Sequence, residues 1–200
     1  MCPVSQDKPT VETSTLPHDI SNLTDDQFFE FCALNRKLRI ERTAEGKIII
    51  MSPTGGDTAR RNAEINRQLG NWAKQDGTGV VFDSNTEFRL PNGASRSPDA
   101  SWVLKSRWEA LPRPEREEFP PICPDFVVEL LSPSDNLEET KLKMEEYIAN
   151  GARLGWLIDP KNKRIWTRSG SGLQTLEQPT AVSADPILPG FTLDLTDIFS

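Results

Sequence analysis

The stretch PDFVVELLS, residues 124–132, constrains this chain more than any other. Phe126, Val127, Val128, Leu130 and Leu131 form a short apolar run of the kind that becomes a buried β-strand. Glu129 interrupts it. A carboxylate inside an apolar strand is costly unless something pairs with it. Alternate strand residues share a face, so Val127, Glu129 and Leu131 point one way and Phe126, Val128 and Leu130 the other. Glu129 can then face a cleft at a sheet edge while its neighbours stay in the core. The alternative is a carboxylate paired with a core Arg or Lys.

The rest of the chain reads as elements that would surround such a strand. Thr24-Asp25-Asp26-Gln27 has the form of a capping box, opening a helix whose apolar face is Phe28, Phe29, Phe31, Cys32 and Leu34. Residues 37–41 and 47–51 are strand candidates around Ala44-Glu45-Gly46, a hairpin. SPTGGD (52–57) is a turn-rich break and lacks the GK[ST] ending of a phosphate-binding loop. Residues 58–75 form a long helix with Ile65, Leu69, Trp72 and Ala73 on one face. Strands follow at 80–83, 86–90 and 98–104, with Pro91-Asn92-Gly93 as a turn. Residues 105–124 hold five prolines and read as a long surface connection with room for irregular helix. After the 125–131 strand come a helix over 134–150 stopped by Gly151, strands at 156–159 and 164–168, and an edge strand at 173–176. The closing PGFTLDLTDIFS should pack back on the core. Trp102, Trp156 and Trp166 lie in strands and read as core. The fold class is α/β: a central mixed β-sheet flanked by helices. Residues 24–200 read as one domain behind a disordered or loosely attached tail, 1–23.

Composition narrows the chemistry. No apolar run reaches the roughly 20 residues that cross a bilayer, and the N-terminus lacks the apolar core of a signal peptide. No membrane association and a cytoplasmic location are expected. Cys2, Cys32 and Cys123 lack metal-site spacing, and the only histidine, His18, lies in the tail. A metal site here must be built of oxygens, which suits Mg²⁺ or Mn²⁺ rather than zinc. The net charge of −7 argues against a general nucleic-acid binder and leaves docking to local patches.

A second strand acid, Asp99, follows Pro98 at the start of DASWV. Two acids side by side on neighbouring strands would repel. A divalent cation between them removes that cost, and it can polarise a phosphate oxygen and acidify a bound water. Asp125 is nearer in sequence to Glu129, but four extended residues span about 13 Å, too far to share one ion. It reads as a strand-entry residue.

Asp99 followed by Glu129 in VVELLS resembles the PD-(D/E)xK nuclease pattern, except that Leu131 stands where that pattern puts its lysine. The longer stretches RSPDASWV and PDFVVELLSPSDNLEETKLKMEEYIANGARLGWLIDP, with MSPTGG upstream and PGFTLDLTDIF at the end, resemble the Uma2 family of restriction-endonuclease-like proteins over about residues 24–199. The resemblance implies a Mg²⁺-dependent (or Mn²⁺-dependent) endonuclease that hydrolyses phosphodiester bonds of DNA. It implies that Asp99 and Glu129, helped by the Leu130 carbonyl, hold the metal. It moves the lysine to the following helix, four residues before a tyrosine: Lys143, with Tyr147 after it. Lys143 would position or deprotonate the attacking water. On the helical wheel Leu137, Met144 and Ile148 make the inward stripe. Lys143 lies at its margin and Lys141 nearer its centre, so Lys141 stays a rival. The fold also implies an acid on the first long helix, for which Glu64 is the candidate. Ser97 and Ser132 match family serines beside each acid and would orient the carboxylates. Arg60, Arg61 and Arg67 could contact phosphates. Related nucleases often dimerise, so a homodimer is among the expectations. The competing reading is a catalytically inactive nuclease-fold module that binds without turnover.

Overall fold

The computed structural model describes residues 23–200, so the expected tail up to residue 22, with Cys2 and His18, lies outside the described residues. In chain order the elements are α1 (Asp25–Leu34), β1 (Arg39–Arg42), β2 (Ile48–Met51), α2 (Gly56–Asp76), β3 (Gly79–Asp83), β4 (Phe88–Arg89), β5 (Ser95–Arg96) and β6 (Ala100–Leu104). Then come α3 (Lys105–Ala110), α4 (Arg113–Glu117), β7 (Phe126–Leu130), α5 (Leu137–Ala149), β8 (Leu154–Asp159), β9 (Arg164–Ser169), β10 (Gly172–Glu177), β11 (Ala181–Ser183) and β12 (Thr192–Asp194).

The main sheet has six strands in the order β10-β9-β8-β7-β6-β3. Its strand pairs are antiparallel except β7 and β8, which run parallel. A parallel pair cannot be joined by a tight turn; it needs a crossover of a dozen or more residues. Here the crossover is α5, which is thereby laid across the sheet. Alternation along β7 then sorts the core into two layers. Phe126, Val128 and Leu130 pack with Ile65 and Leu69 of α2 and with Phe191, Leu193, Leu195 and Ile198 of the closing segment. Val127 packs with Met144 and Tyr147 of α5 and with Leu157 of β8. Glu129 belongs to the α5 side. This is a mixed sheet between helical layers, the architecture implied by the order of elements.

A second sheet, β2-β1-β5-β4, sits beside the first. The capping box at Thr24 forms in both directions, Gln27 N to Thr24 Oγ1 and Thr24 N to Gln27 Oε1, and α1 buries Phe28 and Phe31 against Ile40 of β1. The expected strand over 86–90 shrinks to two residues because Pro91-Asn92-Gly93 turns the chain back at once, with Gly93 at φ 88°. β5 is the return strand, which sequence pattern did not suggest. The proline-rich connection carries the helix it had room for: α3 and α4 interrupt it, and α4 takes a proline in its first turn, where proline is tolerated. Gly79 is required by packing, because a Cβ there would lie 2.0 Å from the Trp102 ring.

Candidate active site

The β6–β7 register pairs Ala100 with Val128, so the next position places Asp99 across from Glu129 at the end of the sheet. Asp99 Oδ2 accepts the Leu130 N–H at 2.9 Å. In strand geometry one residue's N–H and C=O point to the same neighbour, so the Leu130 carbonyl faces the Asp99 side as well. Asp99 Oδ1 accepts from Asn62 Nδ2 at 3.0 Å, and Asn66 Nδ2 donates to the Asp99 carbonyl at 3.0 Å. Asn62 and Asn66 are four residues apart on α2 and so share one helix face.

Lys143 comes to the acids from α5. Its Nζ lies 2.9 Å from Glu129 Oε1 and 2.8 Å from Glu41 Oε1. The Tyr147 hydroxyl, one turn along the same helix, donates to Glu129 Oε1 at 2.9 Å. Glu129 Oε2 has no hydrogen-bond partner among the described residues. Glu41, from β1, is buried; it also accepts the Ser97 N–H at 3.0 Å and pairs through Oε2 with Arg96 at 3.2 Å. Arg96 then reaches Glu146 of α5 at 2.6 Å. The second sheet is in this way clamped to the helix that carries Lys143.

The electrostatics follow from burial and charge. Burial pushes the Glu129 carboxyl up to about 7 against the pull of Lys143, and the charges of Asp99 and Glu41 push it the same way. Burial also raises Asp99, against the Leu130 N–H, Lys143 and Arg39. Glu41 is equally buried, but Lys143, Arg96 and the Ser97 N–H outweigh burial and hold it below its ordinary value. Burial alone would lower the Lys143 pKa; Glu129 and Glu41 overcome this and hold it as an ammonium. Nearby lies Glu87, 7% exposed, with its Oε1 buried and unpartnered. Burial, with Glu41 adding to it, raises this carboxyl to about 8.

Of the residues singled out in the sequence, Asp99, Glu129, Leu130 and Lys143 come together. Glu64 does not join them. It lies about 200° around α2 from both Asn62 and Asn66, and is held by Arg67 at 2.6 Å and Gln68 at 2.8 Å. Lys141 also stays away, paired with Glu138 at 2.8 Å over the Trp166 ring. Arg60 and Arg61 are spent on the C-terminal residues, binding the carbonyls of Asp197 and Ser200. Ser132 pairs its hydroxyl with Ser134 rather than with an acid, and Ser97 contributes its backbone N–H to Glu41. Asp125 takes the Leu104 N–H and Arg107, as a strand-entry residue would. Trp102, Trp156 and Trp166 are buried. Glu41, Asn62, Asn66 and Arg96 were missed. The one local signal for Glu41 was an acid directly after Ile40, inside a strand that has to bury a face.

A cation site can be judged on donor chemistry. Among the described residues no three His, Cys, Asp or Glu side chains are grouped to hold an ion. Two carboxylates and a carbonyl converge, all hard oxygens, and both acids are raised by burial. Mg²⁺ is commonly held by one or two carboxylates together with waters and substrate phosphates, so these residues fit it.

The Uma2 family, described as "Putative restriction endonuclease", matches residues 25–196. The chain belongs to the Uma2 family. No curated protein matches it. Among solved structures it resembles a "putative nuclease belonging to DUF820" from Anabaena variabilis ATCC 29413, with a TM-score of 0.70 and 23% sequence identity. That likeness covers 89% of this chain and 98% of the other and establishes a shared fold. No helix among the described residues of this Uma2 protein is long and apolar enough to cross a membrane.

Proposed function

We propose that this Uma2 protein is a Mg²⁺- or Mn²⁺-dependent endonuclease hydrolysing phosphodiester bonds of DNA. The observation that carries the reading is the convergence of Asp99, at the entry to β6, and Glu129 of its partner strand β7 with Lys143 from the crossover helix, 2.9 Å from Glu129. The DNA assignment rests on the family description.

Asp99, Glu129 and the Leu130 carbonyl would hold the cation, whose chemistry is to polarise a phosphate oxygen and acidify a bound water. Leu130 also orients Asp99 through its N–H, and Asn62 and Asn66 fix Asp99 from the other side. Lys143, kept protonated by two carboxylates, acts by its charge. It orients the attacking water and offsets negative charge that develops on the phosphoryl oxygens; it is not the group that takes the proton. Glu41 and Tyr147 act through Lys143 and Glu129, as positioning residues.

The test is nicking of supercoiled plasmid with Mg²⁺ or Mn²⁺ by the wild type and by Glu129→Ala. Nicking by the wild type should fall about 10²-fold or more in the variant; equal background from both preparations sinks the enzyme reading. The competing reading, a module that binds without turnover, draws on Lys143 being engaged by two carboxylates, as in a structural ion-pair network. Thermal unfolding with titrated Mn²⁺ bears on both. A site that binds the ion stabilises the fold by mass action, and Asp99→Ala should abolish the shift. No shift in the wild type favours the module.

A further inference from the structure

The arginines expected to meet phosphate are engaged elsewhere, Arg60 and Arg61 with the C-terminal residues and Arg67 with Glu64. The second sheet holds another candidate. Arg42 and Arg89 pair with Asp25, and Arg96 pairs with Glu41 and Glu146. Arg39 pairs with no carboxylate among the described residues. Its guanidinium gives one N–H, from Nη2, to the Ser84 carbonyl at 3.3 Å. Most of its five donors are left unused.

The neighbouring strands fix where this guanidinium lies. Alternate residues share a strand face, so Arg39 points with Glu41, the residue that grips Lys143. β1 and β5 pair Arg42 with Ser95; continued along both strands, that register sets Arg39 beside Pro98, the residue before Asp99. β3 and β6 pair Asp83 with Ala100, so Ser84 stands level with Asp99, on the flank away from Glu129. Arg39 is half-buried there, close enough for its charge to oppose the rise of the Asp99 carboxyl. The acid pair thus has a cation on each flank, Lys143 on the β7 side and Arg39 on the β3 side. β3 and β7 are two strand spacings apart, about 10 Å, too far for both cations to hold one phosphate oxygen.

We propose that Arg39 binds a backbone phosphate next to the scissile one, through its unused guanidinium N–H groups. The proposal rests on the nuclease reading above and adds where the strand runs: from the proposed cation, past Asp99, to the end of β3. A planar fork of donors suits two oxygens of one phosphate at once. Such a contact holds the strand in register and reads no base.

The experiment titrates a labelled duplex oligonucleotide with the full chain in EDTA, by fluorescence anisotropy over a series of KCl concentrations, so that binding is seen without cleavage. Arg39→Gln should weaken binding about tenfold and reduce the slope of log affinity against log salt by about 1. Arg39→Lys keeps the charge, so it should restore the slope and recover only part of the affinity. Lys74→Gln removes an exposed charge about 18 Å along α2 from Asn62 and should leave both unchanged; an equal loss in this variant overturns the contact. Melting temperatures check the fold. Should Arg39→Gln fail to fold, Arg39→Lys decides alone, and an affinity equal to the wild type's overturns the contact. Plasmid nicking with Mg²⁺ runs in parallel. Arg39→Gln should raise KM about tenfold and hold kcat within about threefold, because the contact is made equally in ground and transition states. A fall in kcat at unchanged KM overturns the placement on a neighbouring phosphate. Wild-type nicking with an unchanged salt slope in Arg39→Gln overturns the contact and leaves the nuclease reading standing. A wild type that neither nicks nor binds overturns both. A reduced slope in Arg39→Gln without wild-type nicking supports the contact within a non-cleaving module.

Discussion

Glu87 offers a test of the electrostatics that does not involve the proposed metal ligands. Its carboxyl is raised from an ordinary 4.5 to about 8, mainly by burial and then by the charge of Glu41. The folded pKa lies above the unfolded one. Below about pH 4.5 the group is protonated in both states and contributes nothing to any pH dependence. As pH rises from there to about 8 the unfolded chain loses the proton while the folded chain keeps it. Stability then falls by about 1.4 kcal/mol per pH unit from this group. Above about 8 both states are ionised and the loss is complete, with a ceiling of roughly 5 kcal/mol. The ceiling is approached only if the site does not relax to admit water. Glu87→Gln keeps the shape and removes the titration. Even a third of the ceiling moves the melting temperature of a chain this size by about 3–6 °C. Thermal unfolding by circular dichroism at pH 5, 7 and 9, in EDTA, should show the variant gaining on the wild type at each step upward. Glu129, Glu41 and Asp25 also titrate with shifted values, but they are present in both proteins and largely cancel in the difference. A gap between the two melting temperatures that does not change with pH, or that narrows as pH rises, would refute the reasoning.

Further outcomes follow from the same geometry. Lys143→Met removes the cation between two buried carboxylates and should cost about 3 kcal/mol at pH 8 by urea unfolding. The cost should shrink at pH 5, where Glu129 without its ammonium partner takes up a proton. Lys141→Ala breaks an exposed pair with Glu138 and should change stability by no more than about 0.5 kcal/mol; its nicking rate should match the wild type, and a loss comparable to that of Lys143→Met would reassign the lysine. Gly79→Ala drives a methyl group to 2.0 Å from the Trp102 ring and should lower stability by about 3 kcal/mol, read from the same urea curves. An unchanged midpoint would mean that β3 can shift freely against β6.

Local pattern carried much of this molecule. The apolar run at 126–131 with its alternation, the α2 face of Ile65, Leu69 and Ala73, the Thr24 capping box and the Pro91-Asn92-Gly93 turn each record a backbone preference or a buried face within a few residues. They sufficed for the fold class and for placing Glu129 on a strand and Asp99 at the entry to its neighbour. Lys143 depended on family resemblance, because a lysine at the margin of an apolar stripe looks like any solvated helix lysine.

Periodicity tells which face of an element is buried, but not what that face meets. Asp99 stands across from Glu129 because β6 and β7 pair antiparallel with Ala100 opposite Val128, a register set by packing between segments nearly thirty residues apart. Asn62 and Asn66, rather than Glu64, face Asp99 because the Ile65–Leu69 stripe fixes the rotation of α2 on the sheet. Glu41 arrives from a different sheet, 102 residues before the lysine it holds. By itself the sequence determined most of the elements, their buried faces and the two acids Asp99 and Glu129, since these depend on interactions between near neighbours. The third acid, Glu41, which is the lysine's second partner, was decided by tertiary structure alone, since it depends on which distant surfaces pack together.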